Sequence, residues 1–282
     1  MTPLVAVIAQ GGMGAAVAAR LLANGVRVLT SLEGRSDASA ERAKASGMIA
    51  ASNAEIATAD IILSIVPPKE ALSLARRLAP ALAAANSKPV YVDCNAVSPQ
   101  TVKTIAGVIA QTGCPFVDGG IIGGPPRKGY QGPVFYISGA ETMRVEALND
   151  FGLIFRAMGG DVGAASAIKM SFGGITKGLT AIGSAMILAA SRAGVAEGLH
   201  AELAASQPAV LNYLSRGVPD MFSKAYRWVA EMEEIAEFSG GEEERKMYEA
   251  IAALYQRLAD DNDGRKADIG ALDRFFRNDK PD

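Results

Sequence analysis

The sequence predicts an α/β fold, in which a mostly parallel sheet covered by helices is followed by an all-helical C-terminal domain. Three observations predict it. Pro3 to Ala9 is a short apolar run rich in Val and Ile that passes at once into Gln10-Gly11-Gly12-Met13-Gly14 and then into Ala15 to Asn24, a stretch of helical composition. That order reads strand, glycine turn, helix. Further apolar runs alternate with helical ones up to about residue 160, the pattern of a parallel sheet with both faces covered. Beyond Gly159-Gly160 the character changes: Gly163 to Gly194 is free of proline and carries Ile168, Phe172, Ile175, Leu179, Ile182, Met186 and Ala189 at alternating spacings of four and three. This is the apolar stripe of one long helix, expected to pack against other helices.

The elements follow in order. Gly25 stops the first helix and Val26 to Thr30 starts a second buried strand, completing a βαβ unit. Asp60 to Val66 is a strand cut off by Pro67-Pro68, and Val90 to Asp93 another, cut off by the turn at Ser98-Pro99. Helical stretches occupy Ala38 to Ala45 and Lys69 to Ala85. Phe116 to Gly120 and Val134 to Ser138 read as later strands, separated by the glycine and proline loop Ile122 to Gly132. The sheet domain is expected over residues 1–160 and the helical domain over 161–282. Within the latter, helices are expected near Glu202 to Arg216, Asp220 to Phe238 and Glu242 to Asp260, punctuated by Pro208, Pro219 and Gly240-Gly241. A charged, loop-like link from Asp260 then leads to one last short helix.

Composition narrows the function classes. With 28 Lys and Arg against 30 Asp and Glu, the formal net charge is -2, and no basic arm is present to hold nucleic acid by its phosphates. At 49% hydrophobic and 21% charged residues over 282 positions, the chain can bury a sizeable core. Cys94 and Cys114 are the only cysteines and His200 the only histidine, so a disulfide framework, a Cys-rich zinc site and a multi-histidine metal site are all excluded. No metal is expected. With no basic leader and no uninterrupted apolar stretch of about 18 residues, the reading is a cytoplasmic protein with no membrane partner.

The glycine turn is the first candidate for chemistry. Gly11, Gly12, Met13 and Gly14 stand between a strand and a helix, where unobstructed backbone N–H groups and the helix dipole suit a pyrophosphate. Gly11 and Gly14 occupy the second and third positions of G-x-G-x-x-G, and Ala9 stands at the first. A Rossmann-like dinucleotide site is the reading. The end of the second strand then chooses the cofactor. Ser31, Arg35 and Ser36 are placed to bind a 2′-phosphate and no acid stands directly at the strand end, which favours NADP, while Glu33 in the same loop leaves NAD possible.

Lys169 is the second candidate. It lies just inside the long helix, one residue beyond Ile168, at the margin of the apolar stripe, with Gly173, Thr176 and Thr180 following on its side. Two helix-interior glycines, Gly173 and Gly174, each costing about 1 kcal/mol against alanine, suggest that something needs the space beside it. A substrate or nicotinamide is the expected occupant.

Taken together, the motifs resemble the β-hydroxyacid dehydrogenase and 6-phosphogluconate dehydrogenase-like superfamily along nearly the whole chain. The glycine turn looks like its first signature, Ile65-Val66-Pro67 like its apolar-Pro strand end, and Asp93-Cys94-Asn95-Ala96-Val97-Ser98-Pro99 like its segment beside the nicotinamide ribose. Phe116 to Gly124 looks like the substrate signature, and Gly163 to Lys169 like the segment ending in the catalytic lysine. The resemblance implies Val66, Pro67 and Asn95 as cofactor-binding residues, Asn95 also toward substrate, and Lys169 as the general acid/base, its pKa lowered by a buried neighbourhood. This chain departs from the pattern twice: the asparagine expected four residues after the lysine is Gly173, and the serine expected in the substrate loop is Ile122. Gly123 and Gly124 still offer backbone N–H groups to a small carboxylate-bearing substrate.

The second half resembles the poorly characterised helical domain of one branch of the superfamily, above all over Ala225 to Ile235, where Arg227, Trp228, Glu231 and Met232 are placed to line a substrate pocket. The resemblance also implies a homodimer built on the helical half, with the active site in the interdomain cleft. Two rival readings stand beside the dehydrogenase. An imine reductase of the same architecture is disfavoured by Lys169, since such relatives usually carry another residue there, often aspartate. A non-catalytic NADPH-binding sensor would keep the glycine turn and have no use for the lysine.

Overall fold

The computed structural model describes residues 2–8 and 11–277. Ala9, at the first glycine position of the turn, lies outside the described residues. The chain divides into two compact units, Met1–Met170 and Ser171–Asp282.

The first unit is an eight-stranded sheet. Its strands are β1 (Leu4–Ile8), β2 (Arg27–Thr30), β3 (Ile49–Ala50), β4 (Ile61–Ser64), β5 (Val90–Asp93), β6 (Phe116–Ile122), β7 (Val134–Ser138) and β8 (Ile154–Ala157). Their order across the sheet is β3-β2-β1-β4-β5-β6-β7-β8. The first six run parallel, β7 returns antiparallel to β6, and β8 runs parallel to β7. Because β1 sits between β2 and β4, the chain direction of the crossovers reverses there. A crevice opens at such a switch point, at the carboxyl ends of the strands, and ligands of open α/β sheets bind in it.

Helices α1 (Gly12–Ala23), α2 (Asp37–Ala45), α3 (Asn53–Ile56), α4 (Pro68–Ala84), α5 (Pro99–Ala110) and α6 (Thr142–Glu146) join the strands. Alternation along β1 buries Val5 and Val7 in one core cluster and Ala6 and Ile8 in another, so the centre of the sheet is dry on both faces. α3, α5, α6, β3 and β8 were not among the elements expected from the sequence. The Ser98-Pro99 turn is in fact the start of α5: Ser98 Oγ accepts from the Thr101 N–H at 3.2 Å, and Pro99 takes the first helical position, where its missing N–H costs nothing.

α7 (Ala164–Arg192) runs across the division between the units. The second unit adds α8 (Ala196–Ser206), α9 (Pro208–Phe222), α10 (Ala225–Ser239), α11 (Glu242–Asp263) and α12 (Ala267–Arg277). Its boundaries correct the sequence reading in two places. Pro208 opens α9, splitting the stretch expected as one helix, and Pro219 lies inside α9, which continues to Phe222.

The apolar stripe of α7 is the larger correction. Phe172, Ile175, Leu179, Ile182 and Met186 are between 46% and 64% exposed, so this stripe is not the buried face of the helix in the single chain. The face of α7 that is buried carries Gly174, Gly178, Thr180, Ala181 and Ser184, followed by Ile187 and Leu188. Small side chains let neighbouring helices approach closely: a Cβ on Gly174 would sit 2.8 Å from the Tyr248 hydroxyl of α11. α7 is the one helix among the described residues long and apolar enough to cross a membrane, and 44% of its apolar window is buried within the chain.

Candidate functional site

The amino end of α1 is open. Gly11 is its N-cap, with no side-chain cap hydrogen bond and no acid in the first turn. Among the described residues, chain neighbours and the helix's own backbone apart, no heavy atom lies within 4 Å of where a Cβ on Gly11 or Gly12 would be, and both glycines are exposed. Gly14 is buried in the first turn. The first N–H groups of a helix that no side chain satisfies, set at a switch point and unshielded by any Cβ, fit a pyrophosphate. Met13 packs against the core beside them.

The ends of β4 and β5 meet through Asn95. Its Oδ1 accepts from the Val66 N–H at 2.6 Å, and its Nδ2 donates to Ser64 Oγ and Asp93 Oδ2, both at 2.9 Å. Asp93 Oδ1 takes the Asn95 N–H at 3.1 Å. Asn95 is 2% exposed, so its amide is committed to holding the segment after β4, which contains Val66 and exposed Pro67, against the end of β5. Three buried polar side chains, satisfied by one another and by backbone N–H groups, make a rigid corner.

The strongest local arrangement ties β6 to α7. Asp118, fully buried in β6, accepts the Gly163 N–H at 2.8 Å and the Ser166 N–H at 3.0 Å on Oδ2, and the Ser166 hydroxyl at 2.7 Å on Oδ1. The Ser138 hydroxyl of β7 donates to Asp118 at 3.2 Å and accepts the Ala165 N–H at 3.1 Å. A buried carboxylate in a strand thus caps a helix that begins at Ala164, satisfying donors at its start and countering its dipole. One turn further on stands Lys169, half-buried. The glycines of β6 make room for this: a Cβ on Gly120 would lie 2.6 Å from Ala165 O and 3.0 Å from Lys169 Cβ. One on Gly119 would meet Asp93 O at 3.0 Å and Cys94 Sγ at 3.1 Å. Burial, with Asp93 and Asp118 adding to it, pushes the Cys94 thiol up.

At the end of β2, Ser31 is buried and Ser36 is the exposed N-cap of α2. Arg35 Nη1 donates to Glu70 of α4 at 2.7 Å. Ser31 accepts from Arg77 of α4 at 3.0 Å.

In the β6–β7 loop, Gly123 has φ +122°, and a Cβ there would strike the Tyr130 hydroxyl at 2.5 Å, so only glycine fits. Gly124 is exposed with open space around it. In the helical unit, Ile235 of α10 comes 3.6 Å from a Cβ on Gly173. At the Gly173–Gly174 pair the room is thus taken up by Ile235 and Tyr248. Trp228 stacks edge-on against Tyr255 with centroids 5.2 Å apart, and the Lys177 ammonium lies 5.2 Å over its ring. Lys177 also pairs with Glu231, while Met232 is fully buried and Arg227 is exposed with its guanidinium 5.7 Å from the Tyr226 ring.

Sequence reasoning passed over Asp118, Ser138 and Ser166 as a capping network, Ser64 and Asp93 as the supports of Asn95, and Arg77, Asn53 and Glu70 at the end of β2. The signal for Asp118 was present, since an acid in an apolar strand demands partners. Nothing in the sequence pointed to Arg77. Among the described residues no group of three or more His, Cys, Asp and Glu is placed to hold a metal ion.

A mostly parallel sheet with a glycine-led helix at its switch point, followed along the chain by an all-helical region, defines the chain as an NAD(P)-binding oxidoreductase of Rossmann-like fold. Residues 4–170 match the NAD binding domain of 6-phosphogluconate dehydrogenase, and the chain belongs to that family. Residues 190–258 match a domain of unknown function, DUF1932. An uncharacterized 28.5 kDa protein of Methanothermus fervidus is 32% identical over 176 residues, 62% of this chain and 66% of that protein, just under two thirds of its length. The conserved protein MTH1747, of unknown function and described as similar to 3-hydroxyacid dehydrogenases, superposes with a TM-score of 0.70 at 29% identity, covering 95% of this chain and 98% of its own. At 16% identity, 3-hydroxyisobutyrate dehydrogenase from Salmonella typhimurium shares the fold over 96% of this chain and 99% of its own, with a TM-score of 0.71. An imine reductase from Myxococcus stipitatus, solved with NADP+, shares it at 19% identity and a TM-score of 0.56, covering 97% and 99%.

Proposed function

We propose that the protein transfers a hydride between NADP and the hydroxyl-bearing or carbonyl carbon of a small carboxylate-bearing substrate, with Lys169 as general acid/base. The observation that carries this reading is the mounting of Lys169: its Cβ rests over Gly120, one turn inside a helix whose first donors are fastened to β6 by Asp118. A general acid/base must be held to within a fraction of an ångström, and an anchored helix start does that. The bound nicotinamide supplies or accepts the hydride.

The remaining steps belong to the chain's own residues. The N–H groups of Gly11, Gly12, Met13 and Gly14 hold the pyrophosphate, Val66 and Pro67 form the apolar floor after β4, and the Asn95 corner fixes the ribose side of the crevice. Arg35, with Ser31 and Ser36, receives the 2′-phosphate. Gly123 and Gly124 offer N–H groups to the substrate carboxylate in place of the missing serine. Lys169 Nζ takes the hydroxyl proton as the substrate is oxidised and returns it to the carbonyl oxygen on reduction. The same fold also carries imine reductases, and a lysine at 169 supports the C–O reaction over the C=N one. The exposed apolar face of α7, from Phe172 to Met186, supports a homodimer joined along that helix.

The test is a titration with NADPH and NADH followed by nicotinamide fluorescence, then a screen of hydroxy acids, keto acids and imines with Lys169→Ala as control. The expected outcome is tighter NADPH binding and turnover of a hydroxy acid that falls about 100- to 10,000-fold in the variant, with cofactor affinity kept. Binding of neither dinucleotide, or unchanged turnover in Lys169→Ala, overturns the reading.

A further inference from the structure

The end of β2 carries more charge than its own loop supplies. Arg77, reaching over from α4, donates from Nη1 to Ser31 Oγ at 3.0 Å, Asn53 Oδ1 at 2.9 Å and Glu33 Oε2 at 3.0 Å. Glu33 Oε2 also accepts from Asn53 Nδ2 at 2.8 Å. Beside this set, Arg35 pairs with Glu70 at 2.7 Å. The result is two guanidinium groups and two carboxylates around the point where the chain leaves β2, which in this fold is where the adenosine ribose lies.

Their exposures are not symmetric. The side chains of Arg35 and Arg77 are 18% and 26% exposed, whereas those of Glu70 and Glu33 are 44% and 63% exposed. The arginines are the inner members and the carboxylates the outer ones. Exposed carboxylates in ion pairs contribute little stability and exchange readily for another anion. A phosphate monoester brings about two negative charges and oxygens matched to the guanidinium fork.

We propose that Arg77 is a second specificity-determining residue, which clamps the 2′-phosphate of NADP together with Arg35. Glu33 and Glu70 act as exchangeable counter-ions that hold the two guanidiniums in place until the phosphate displaces them. The inference rests on the NADP reading above and deepens it. Holding the arginines in position beforehand lowers the ordering cost of binding. The competing arrangement is one in which Glu33 accepts the ribose hydroxyls of NAD and Arg77 only positions Glu33.

Isothermal titration separates these readings, using NADPH, NADH, adenosine 2′,5′-bisphosphate and 5′-AMP as probes on wild type, Arg77→Ala, Arg77→Lys and Glu33→Gln. Thermal melting of each variant checks its fold. Wild type is expected to bind NADPH and the bisphosphate at least tenfold more tightly than NADH and 5′-AMP. Arg77→Ala removes at least tenfold of the affinity for the two phosphorylated probes and leaves the other two within about twofold, and Arg77→Lys falls between. Glu33→Gln tightens NADPH. The clamp alone is overturned if NADPH is preferred yet Arg77→Ala weakens all four probes equally, the mark of a loop-positioning residue, or weakens none. Tighter NADH than NADPH in wild type, with loss of NADH in Glu33→Gln, establishes the competing arrangement. If neither dinucleotide binds wild type, the dinucleotide reading itself falls and the clamp with it.

Discussion

The Cβ of Lys169 stands 3.0 Å from the place that a Cβ on Gly120 would occupy. The same added atom would come within 2.6 Å of Ala165 O, a backbone atom that cannot swing aside. Gly120→Ala is therefore expected to push the start of α7 off β6, at a cost of about 1–3 kcal/mol from overpacking. A melting temperature lowered by several degrees, together with a turnover number reduced at least tenfold at unchanged cofactor affinity, is the expected pair of readings. Turnover at the wild-type level would show that the lysine is not positioned by this contact.

Asp118 holds the same junction through its carboxylate. Asp118→Ala leaves the N–H groups of Gly163 and Ser166 and the hydroxyls of Ser138 and Ser166 without it, and an expected cost of about 3 kcal/mol or more follows from unsatisfied buried donors. Ser166→Ala removes only one of those bonds and is expected to cost about 1 kcal/mol. Urea unfolding of both variants checks the order, and the idea fails if Ser166→Ala proves the more damaging.

Alkaline pH should weaken the fold. Burial, reinforced by the charge of Asp93, raises the Tyr91 hydroxyl, and burial, with Tyr213 and Glu231, raises that of Tyr255. Below about pH 10 both states keep these protons. Above it the unfolded chain releases them and the folded chain does not, so stability is present below that pH and is lost as pH rises, by about 1.4 kcal/mol per pH unit for each tyrosine. Cys94, raised in the same direction, begins the decline nearer pH 9. Denaturant unfolding at pH 8, 10 and 11 measures the slope. Tyr255→Phe, which also removes the 2.6 Å bond to Lys177 O, should flatten it. A slope that does not change with the variant would locate the effect elsewhere.

The exposed side chains of α7 make a prediction about assembly. Leu179→Glu and Ile182→Glu replace residues 50% and 55% exposed in the single chain, so they should leave its folding within about 0.5 kcal/mol. Burying a charge at a subunit contact costs far more. Light scattering after size exclusion should show a dimer in the wild type and a monomer in the double variant. Identical masses for the two proteins would remove α7 from the interface.

Much of the nucleotide-binding half was legible because its signals are local. The strand-to-glycine-to-helix order at residues 4–23 depends on which dihedrals glycine permits and which residues prefer a pleated strand, and these are properties of neighbouring residues. α5 and β8 were harder. The helix after Ser98-Pro99 was hidden by a proline that reads as a turn, although Ser98 caps it and Pro99 opens it. In the candidate site, Lys169 and Asn95 stood out by motif, whereas the supports that position them did not. Ser64 lies 31 residues from Asn95, and Asp118 lies 48 from Ser166, so no local rule connects them.

By itself the sequence determined six of the strands, the glycine-led helix start and the long apolar helix, since each follows from propensity and periodicity within a few turns of chain. Only the tertiary structure decided which face of α7 turns inward. Periodicity marks an apolar stripe without saying what covers it, and close helix packing chose the small residues Gly174, Gly178, Ala181 and Ser184 over Ile175 and Leu179. Likewise the pairing of Arg35 with Glu70 and of Arg77 with Glu33 spans 35 and 44 residues. Charges find their partners through space, and space is set by how the sheet is threaded.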